Sequence, residues 1–206
     1  MAKSHSSKSW LKEHHDDVWV KRAHQAGYRS RASFKLLEIH QKDRLFKPGM
    51  VVVDLGAAPG GWSQLAAPLV KPGGIVLASD ILPMEPLVDV TFIQGDFTEA
   101  DCFDQILAAL QGRPVDLVIS DMAPNMSGMQ DIDQPKAMYL IELAVDFARQ
   151  TLKPGASLLM KVFQGEGYPE LLATLRQQYG QVLSRKPEAS RPRSREIYLL
   201  ARQYRG

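Results

Sequence analysis

One cysteine, Cys102, stands in a chain of 206 residues. That excludes an internal disulfide framework and suits a reducing cytoplasm. No apolar run reaches the length needed to span a membrane. The N-terminal stretch "MAKSHSSKSWLKEHHDD" has neither the apolar core nor the small-residue cleavage site of a secretory signal. It also carries Glu13, Asp16 and Asp17, acids that a transit peptide avoids. All five histidines (His5, His14, His15, His24, His40) lie in the first 40 residues, without zinc-like spacing to cysteine, so no metal site is expected. There is no internal repeat and no long low-complexity tract.

What is present suits one domain with a substantial core, since 45% of the residues are hydrophobic. The net charge of +2 conceals a segregation. Residues 1–50 hold 11 Lys/Arg against 5 Asp/Glu, residues 51–184 hold 7 against 16, and residues 185–206 hold 7 against 2. An acidic middle between two basic ends points to a polyanion held by the ends, a nucleic acid in the first instance. Basic ends that only solubilise the chain are the plainer alternative.

Residues 1–15 read as a polar, disordered tail, and 16–206 as a single domain. "DDVWVKRAHQAG" (16–27) predicts a helix stopped by Gly27. "YRSRAS" is a basic loop. "FKLLEIHQKD" predicts a second helix with Phe34, Leu37 and Ile39 as its apolar stripe. From residue 50 the texture changes. Short runs rich in Val and Ile recur at 50–55, 74–80, 90–96, 115–121 and 156–163, with room for helices at 62–70, 101–111 and 136–152. Continuous apolar strands alternating with helices predict a parallel sheet covered on both faces. "EGYPELLATLRQQYG" predicts one more helix. The closely spaced runs "QVLSRK" and "REIYLLARQ" then predict an antiparallel pair at one edge.

Open α/β sheets bind ligands beyond the C-terminal ends of their strands. Asp80, Asp96 and Asp121 end three of the runs, and Asp54 lies near the end of a fourth, so together they predict an acidic rim. Each acid alone is equally a helix N-cap. "DLGAAPGGWSQ" (54–64) places Gly56, Gly60 and Gly61 where the backbone must turn sharply and a ligand can lie against it. No Lys-Ser/Thr follows, so it is not a P-loop, and Ala58 stands where a dinucleotide loop has its second glycine. An acid about 25 positions on, Asp80, suits two ribose hydroxyls. An adenosine-type cofactor fits; a pyrophosphate has no special site.

"DLGAAPGGWSQ" resembles the S-adenosylmethionine loop of RNA ribose 2′-O-methyltransferases of the FtsJ/RrmJ type, and the likeness extends over roughly residues 20–205. The resemblance implies a Rossmann-like class I methyltransferase: an α/β fold with a seven-stranded, mostly parallel sheet, helices on both faces and an antiparallel C-terminal pair. It also implies S-adenosyl-L-methionine as cofactor. Gly60 and Trp62 would meet its methionine part, Asp80 its ribose, Asp96 its adenine edge, and Asp121 the region of the methyl group.

The acceptor atom is narrowed by the residues themselves. "SDMAPNMSG" lacks the Asp/Asn-Pro-Pro-aromatic motif of amino-group methyltransferases, having Met122, Ala123 and Asn125 instead. Pyrimidine C5 chemistry needs a cysteine nucleophile, and Cys102 sits at a helix start remote in sequence from the rim, reading as a buried small residue. A ribose hydroxyl needs a base or a cation-rich setting. Lys161, inside the apolar run "LLMKVFQ", is the candidate, since a lysine there needs a reason; snorkelling or a buried ion pair would also account for it. Alone, Lys35 reads as an exposed helical lysine and Glu196 as a surface acid. The resemblance supplies a catalytic set Lys-Asp-Lys-Glu, matched here by Lys35, Asp121, Lys161 and Glu196. It implies Lys161 as general base, Asp121 and Lys35 as orienting charges, and Glu196 as completing the hydrogen-bond network.

Lys21, Arg22, Arg29, Arg31 and Lys35, with Arg185, Lys186, Arg191, Arg193 and Arg195, are expected to grip phosphates. Trp19 and Tyr28 are candidates for stacking a base or for packing. By resemblance the substrate is a uridine in the A loop of 23S ribosomal RNA, in the large ribosomal subunit; the single cysteine suits the cytoplasm, and nothing in the sequence suggests more than a monomer. A tRNA or cap 2′-O-methyltransferase, or a non-catalytic RNA-binding assembly factor, are the alternatives.

Overall fold

The computed structural model describes residues 17–125, 127–191 and 194–206. The expected tail at 1–15, its histidines and Arg193 therefore lie outside the described residues. Two helices open the chain: α1 (Val18–Gln25) and α2 (Ala32–Asp43). Then come β1 (Val51–Leu55), α3 (Gly61–Leu69), β2 (Ile75–Asp80), β3 (Val90–Gln94), α4 (Ala100–Leu110) and β4 (Val115–Ser120). The chain closes with α5 (Gln130–Thr151), β5 (Leu152–Phe163), α6 (Tyr168–Gln178), β6 (Tyr179–Arg185) and β7 (Glu196–Tyr204). No helix among the described residues is long and apolar enough to cross a membrane.

The strands form one seven-stranded sheet in the order β3-β2-β1-β4-β5-β7-β6. The first five pair in parallel, as their unbroken apolar runs require. β7 is antiparallel to both β5 and β6 and inserts between them, so the edge strand is β6 rather than the last strand of the chain. After β3 the chain returns to the other side of β1 to lay down β4. That reversal opens the crevice between β1 and β4 in which such sheets take ligands.

Strand alternation divides the core in two. Val53, Leu158 and Leu199 face α4, α5 and α6, whereas Val52, Leu159, Tyr198 and Leu200 face α2 and α3. Lys161, two residues beyond Leu159, and Asp54, two beyond Val52, fall on the α2/α3 side by the same period.

Some local expectations shift. In α2 the buried side is Ser33, Lys35, Leu36, Ile39 and Asp43, not a Phe34–Leu37–Ile39 stripe. Phe34 is turned towards Trp19 and Tyr28, with ring centroids 5.3 and 5.4 Å away, so both aromatics serve as packing. Ser33 faces α3 so closely that residue 61 has no room for a side chain: a Cβ on Gly61 would lie 2.6 Å from the Ser33 Oγ. α5 begins six residues before the predicted 136 and runs through Pro135. Asp133, buried, makes this possible by accepting the Ser127 and Gly128 N–H groups at 2.8 and 2.9 Å, which pins the preceding loop to the first turn.

Asp54 departs furthest from expectation. It is fully buried beneath the rim, not on it. Ser63 Oγ donates to its Oδ2 at 2.6 Å, while Oδ1 has no partner among the described residues. Burial, then the nearby charges of Asp121 and Asp80, push its carboxyl up to about 7 against the Ser63 hydrogen bond. A carboxyl that holds its proton more tightly folded than unfolded loses stability as pH rises between the two values, here from about 4 to about 7. The loss is on the order of 4 kcal/mol. Calorimetry on Asp54→Asn should therefore show the variant gaining several degrees in Tm relative to the parent between about pH 5 and about pH 8. A Tm gap independent of pH would contradict a neutral Asp54.

Candidate functional site

Three segments meet at the C-terminal edge of β1, β4 and β5. The first is the glycine loop. Gly56 abuts the next loop so closely that a Cβ there would stand 2.6 Å from Met122 Cγ. Gly60, at φ +102°, starts α3 and leaves that helix's first N–H groups free of intrahelical partners. A side chain at Gly60 would strike Met84 Sδ, Leu87 Cδ1 and Arg29 Nη1 at 2.8, 3.0 and 3.1 Å. One face of Gly60 is thus covered by protein, and a ligand has only the loop's other face. Trp62 contributes little but backbone: its indole is buried and donates Nε1–H to Ala32 O at 2.8 Å. A contact from Trp62 to a ligand at this loop is therefore left to its backbone.

The rim acids are Asp80, Asp96 and Asp121. None caps the following helix; those positions fall to Glu99 and Met129. Asp80 Oδ2 accepts the Ala58 N–H and Oδ1 the Leu82 N–H, both at 2.8 Å, which ties the glycine loop to the end of β2. Each oxygen retains a lone pair, enough for a vicinal diol. Asp96 Oδ1 accepts both the N–H and the hydroxyl of Thr98, bonds that lower its pKa, and Oδ2 has no partner among the described residues. Cys102 lies beneath this edge, buried, with Sγ 3.4 Å from Ser79 Oγ.

The four residues of the expected catalytic set converge. Lys161 is buried, its Nζ donating to Asp121 O at 2.6 Å and lying 3.1 Å from Asp121 Oδ1. Antiparallel register sets Lys161 opposite Tyr198, and period two puts Glu196 on Tyr198's face. The Tyr198 hydroxyl donates to Asp121 Oδ1 at 2.8 Å. Lys35 Nζ donates to Tyr198 at 3.0 Å and to Glu196 Oε1 at 2.6 Å, and lies over the Tyr198 ring, 5.5 Å from its centroid. Ser190 Oγ donates to Glu196 Oε1 at 2.9 Å. One chain of contacts therefore runs Lys161–Asp121–Tyr198–Lys35–Glu196. Lys35 is buried, not an exposed helical lysine, and Glu196 is half-buried.

Tyr198 and Ser190 are absent from the sequence-derived set. Strand alternation from Glu196 reaches Tyr198; no local pattern marks Ser190. Burial, then the charges of Asp121 and Glu196 and their hydrogen bonds, hold the Tyr198 hydroxyl well above its usual range, so it remains a phenol. Burial pushes Asp121 up, but Lys161, Lys35 and the Tyr198 and Lys161 hydrogen bonds outweigh it, and its carboxyl stays ionised.

Of the basic residues expected to hold phosphate, several are already engaged. Arg185 forms a two-point pair with Asp43, at 2.6 and 2.8 Å. Arg31 pairs with Asp17, Lys186 donates to Ser194 O at 2.7 Å, and Arg29 donates to backbone carbonyls. Lys21, Arg22 and Arg195 are exposed and Arg191 half-buried. Arg191 stands near enough to Arg31 that, after burial, its charge is the next cause of the fall in Arg31's pKa.

Residues 28–204 match the family described as FtsJ-like methyltransferase. Over 203 residues the chain is 66% identical to ribosomal RNA large subunit methyltransferase E of Chromohalobacter salexigens, covering 98% of this chain and 97% of the relative. It is 59% identical to the protein of that name from Pseudomonas aeruginosa PAO1, over 206 residues and 100% of both chains. Among solved structures, a chain of Plasmodium falciparum described as a ribosomal RNA methyltransferase superposes with a TM-score of 0.79 at 27% identity, covering 87% of this chain and 100% of that one. The sheet order, the loop at Gly60 and these matches agree: the chain belongs to the FtsJ-like methyltransferase family.

Proposed function

We propose that the protein uses S-adenosylmethionine to methylate the 2′-hydroxyl of a ribose, the target being a uridine in the A loop of 23S ribosomal RNA in the large subunit. The observation that carries this reading is Lys161 Nζ, held by two oxygens of Asp121 at the edge where the glycine loop opens. The names of the full-length relatives support ribosomal RNA as substrate. The free Asp96 oxygen, the spare lone pairs of Asp80 and the bare backbone of the loop fit the adenine edge, the ribose diol and the methionine part of the cofactor. Bound there, the cofactor supplies an electrophilic methyl group on sulfur.

The side chains account for the rest. To act as the base Lys161 must enter the step as the free amine, which has two N–H bonds and one lone pair. Asp121 O and Oδ1 accept the two N–H bonds, which directs the lone pair to the hydroxyl proton. Lys161 Nζ takes that proton as the hydroxyl oxygen becomes nucleophilic. The ionised Asp121 stabilises the ammonium so formed. Tyr198, fixed as a donor, keeps Asp121 oriented. Lys35, held by Glu196 and Tyr198, keeps a positive charge close by and so disfavours a second one on Lys161 before the proton is taken. Lys21, Arg22, Arg191 and Arg195 hold phosphates. The unit works as a monomer in the cytoplasm, where ribosomal subunits are assembled.

Lys161→Met should lower kcat about 1,000-fold while cofactor binding persists, and Lys161→Arg should not restore it, because a guanidinium does not release its proton. Methyl-labelled cofactor, RNA from large subunits lacking the modification and nucleoside mass spectrometry give the readout: the label should sit on a 2′-oxygen, and label on a base would overturn the reading. Tyr198→Phe should lower kcat at least about tenfold, the worth of a hydrogen bond to a charged partner, and lower Tm by a few degrees because Asp121 and Lys35 each lose a buried partner. Arg191→Ala should raise the KM for RNA and flatten the dependence of log K on log salt by about one.

A further inference from the structure

The loop joining β2 to β3, residues 81–89 or "ILPMEPLVD", contains two prolines and no helix or strand. It follows directly on Asp80 and lies across the glycine loop, with Met84 and Leu87 against Gly60. Its ends are tied by the Leu82 N–H to Asp80 Oδ1 at 2.8 Å and by the Lys71–Asp89 ion pair, while its middle has only weak bonds of its own: Val90 N–H bonds Leu87 O at 3.3 Å, and Gln94 reaches Ile81 O at 3.3 Å. The close tie of its middle comes from outside. Arg29 Nη1 donates to Glu85 O at 2.6 Å and Nη2 to Pro86 O at 2.8 Å. The same Nη1 reaches Pro59 O in the glycine loop at 3.2 Å. Arg29 is in turn fixed by α3. Its backbone N–H donates to Gln64 Oε1 at 3.0 Å, and Gln64 Nε2 donates to Gly27 O at 2.8 Å.

An arginine spread over three backbone carbonyls, with no carboxylate partner among the described residues, is an unusual use of five donors. No phosphate is needed to explain it. We propose that Arg29 is a positioning residue for the cofactor: it clamps the β2–β3 loop onto the glycine loop and so fixes the wall of the cleft between Asp80 and Gly60. This rests on the cofactor reading above. Arg29 also lies in the turn between α1 and α2, and α2 carries Lys35. One short segment thus sets both the cleft wall and a member of the catalytic cluster.

The test uses the full chain with Arg29→Met and Arg29→Lys. Titration calorimetry with S-adenosylmethionine alone should give a Kd raised about tenfold in Arg29→Met and less in Arg29→Lys, which keeps the charge and part of the donor set. In steady state the cofactor KM should rise more than kcat falls, and the KM for RNA should move less than twofold. Hydrogen exchange should speed up at amides 81–90 in Arg29→Met while β1 and β4 keep the parent's protection. A raised RNA KM with unchanged cofactor Kd would make Arg29 a phosphate contact and overturn the proposal, as would unchanged exchange at 81–90. Faster exchange throughout the sheet would mean a general structural role, and would also overturn it. A parent that fails to bind S-adenosylmethionine would refute the cofactor reading instead, and the exchange data would still decide the clamp.

Discussion

The contact between Lys161 and Asp121 is what the site depends on. A lysine inside an apolar strand is costly unless it is paired and hydrogen-bonded. Asp121 meets that need twice, with its carboxylate and with its own carbonyl. Both oxygens come from the first residue after β4, so the parallel pairing of β4 with β5 brings donor and acceptor together. The lysine then has little freedom to turn elsewhere. Asp121 is held in its turn by Tyr198, which the antiparallel pairing of β7 places across from Lys161. Three adjacent strands therefore position one amine.

The charges around this contact are arranged so that each has a partner. Two lysines and two carboxylates alternate along the chain of contacts, with a phenol between them that burial keeps un-ionised. The third carboxyl nearby, Asp54, holds its proton up to about pH 7, chiefly because it is buried and secondarily because Asp121 and Asp80 lie close. The rim is thus less acidic than a count of aspartates implies. Half of the expected phosphate ligands are likewise committed internally: Arg185 joins β6 to α2, Arg31 holds Asp17, Arg29 secures two loops, Lys35 bonds Glu196 and Lys186 bonds Ser194 O. The surface left for a polyanion is narrower than the composition of the two ends suggests.

The parallel core was legible because its runs are unbroken and β-branched, a texture that buried central strands need. The early start of α5 was not, because Pro135 resembles a boundary until Asp133 is seen to anchor the loop before it. The stripe on α2 was misread because that helix is covered on two sides, and periodicity assumes one. Within the site, Lys161 announced itself by its apolar neighbours. Lys35 and Glu196 did not: each has an ordinary surface context in sequence, and resemblance alone singled them out. Tyr198 sits in a strand of apolar residues where a buried aromatic is unremarkable. Arg29 looked like a phosphate ligand because its partners are carbonyls, which no side-chain pattern records.

The placement of β7 has a consequence for how the molecule is made. Glu196–Tyr204 is the final described strand, yet it lies between β5 and β6. During synthesis the chain emerges from its N-terminal end, so β6 has no neighbour in the sheet until that late segment is available. Lys35 waits long, since its partners Glu196 and Tyr198 follow 161 and 163 residues later. Contacts of such long sequence separation close late and slowly. A nascent polypeptide can therefore carry a finished glycine loop while the amine at residue 161 still lacks the scaffold that β7 supplies.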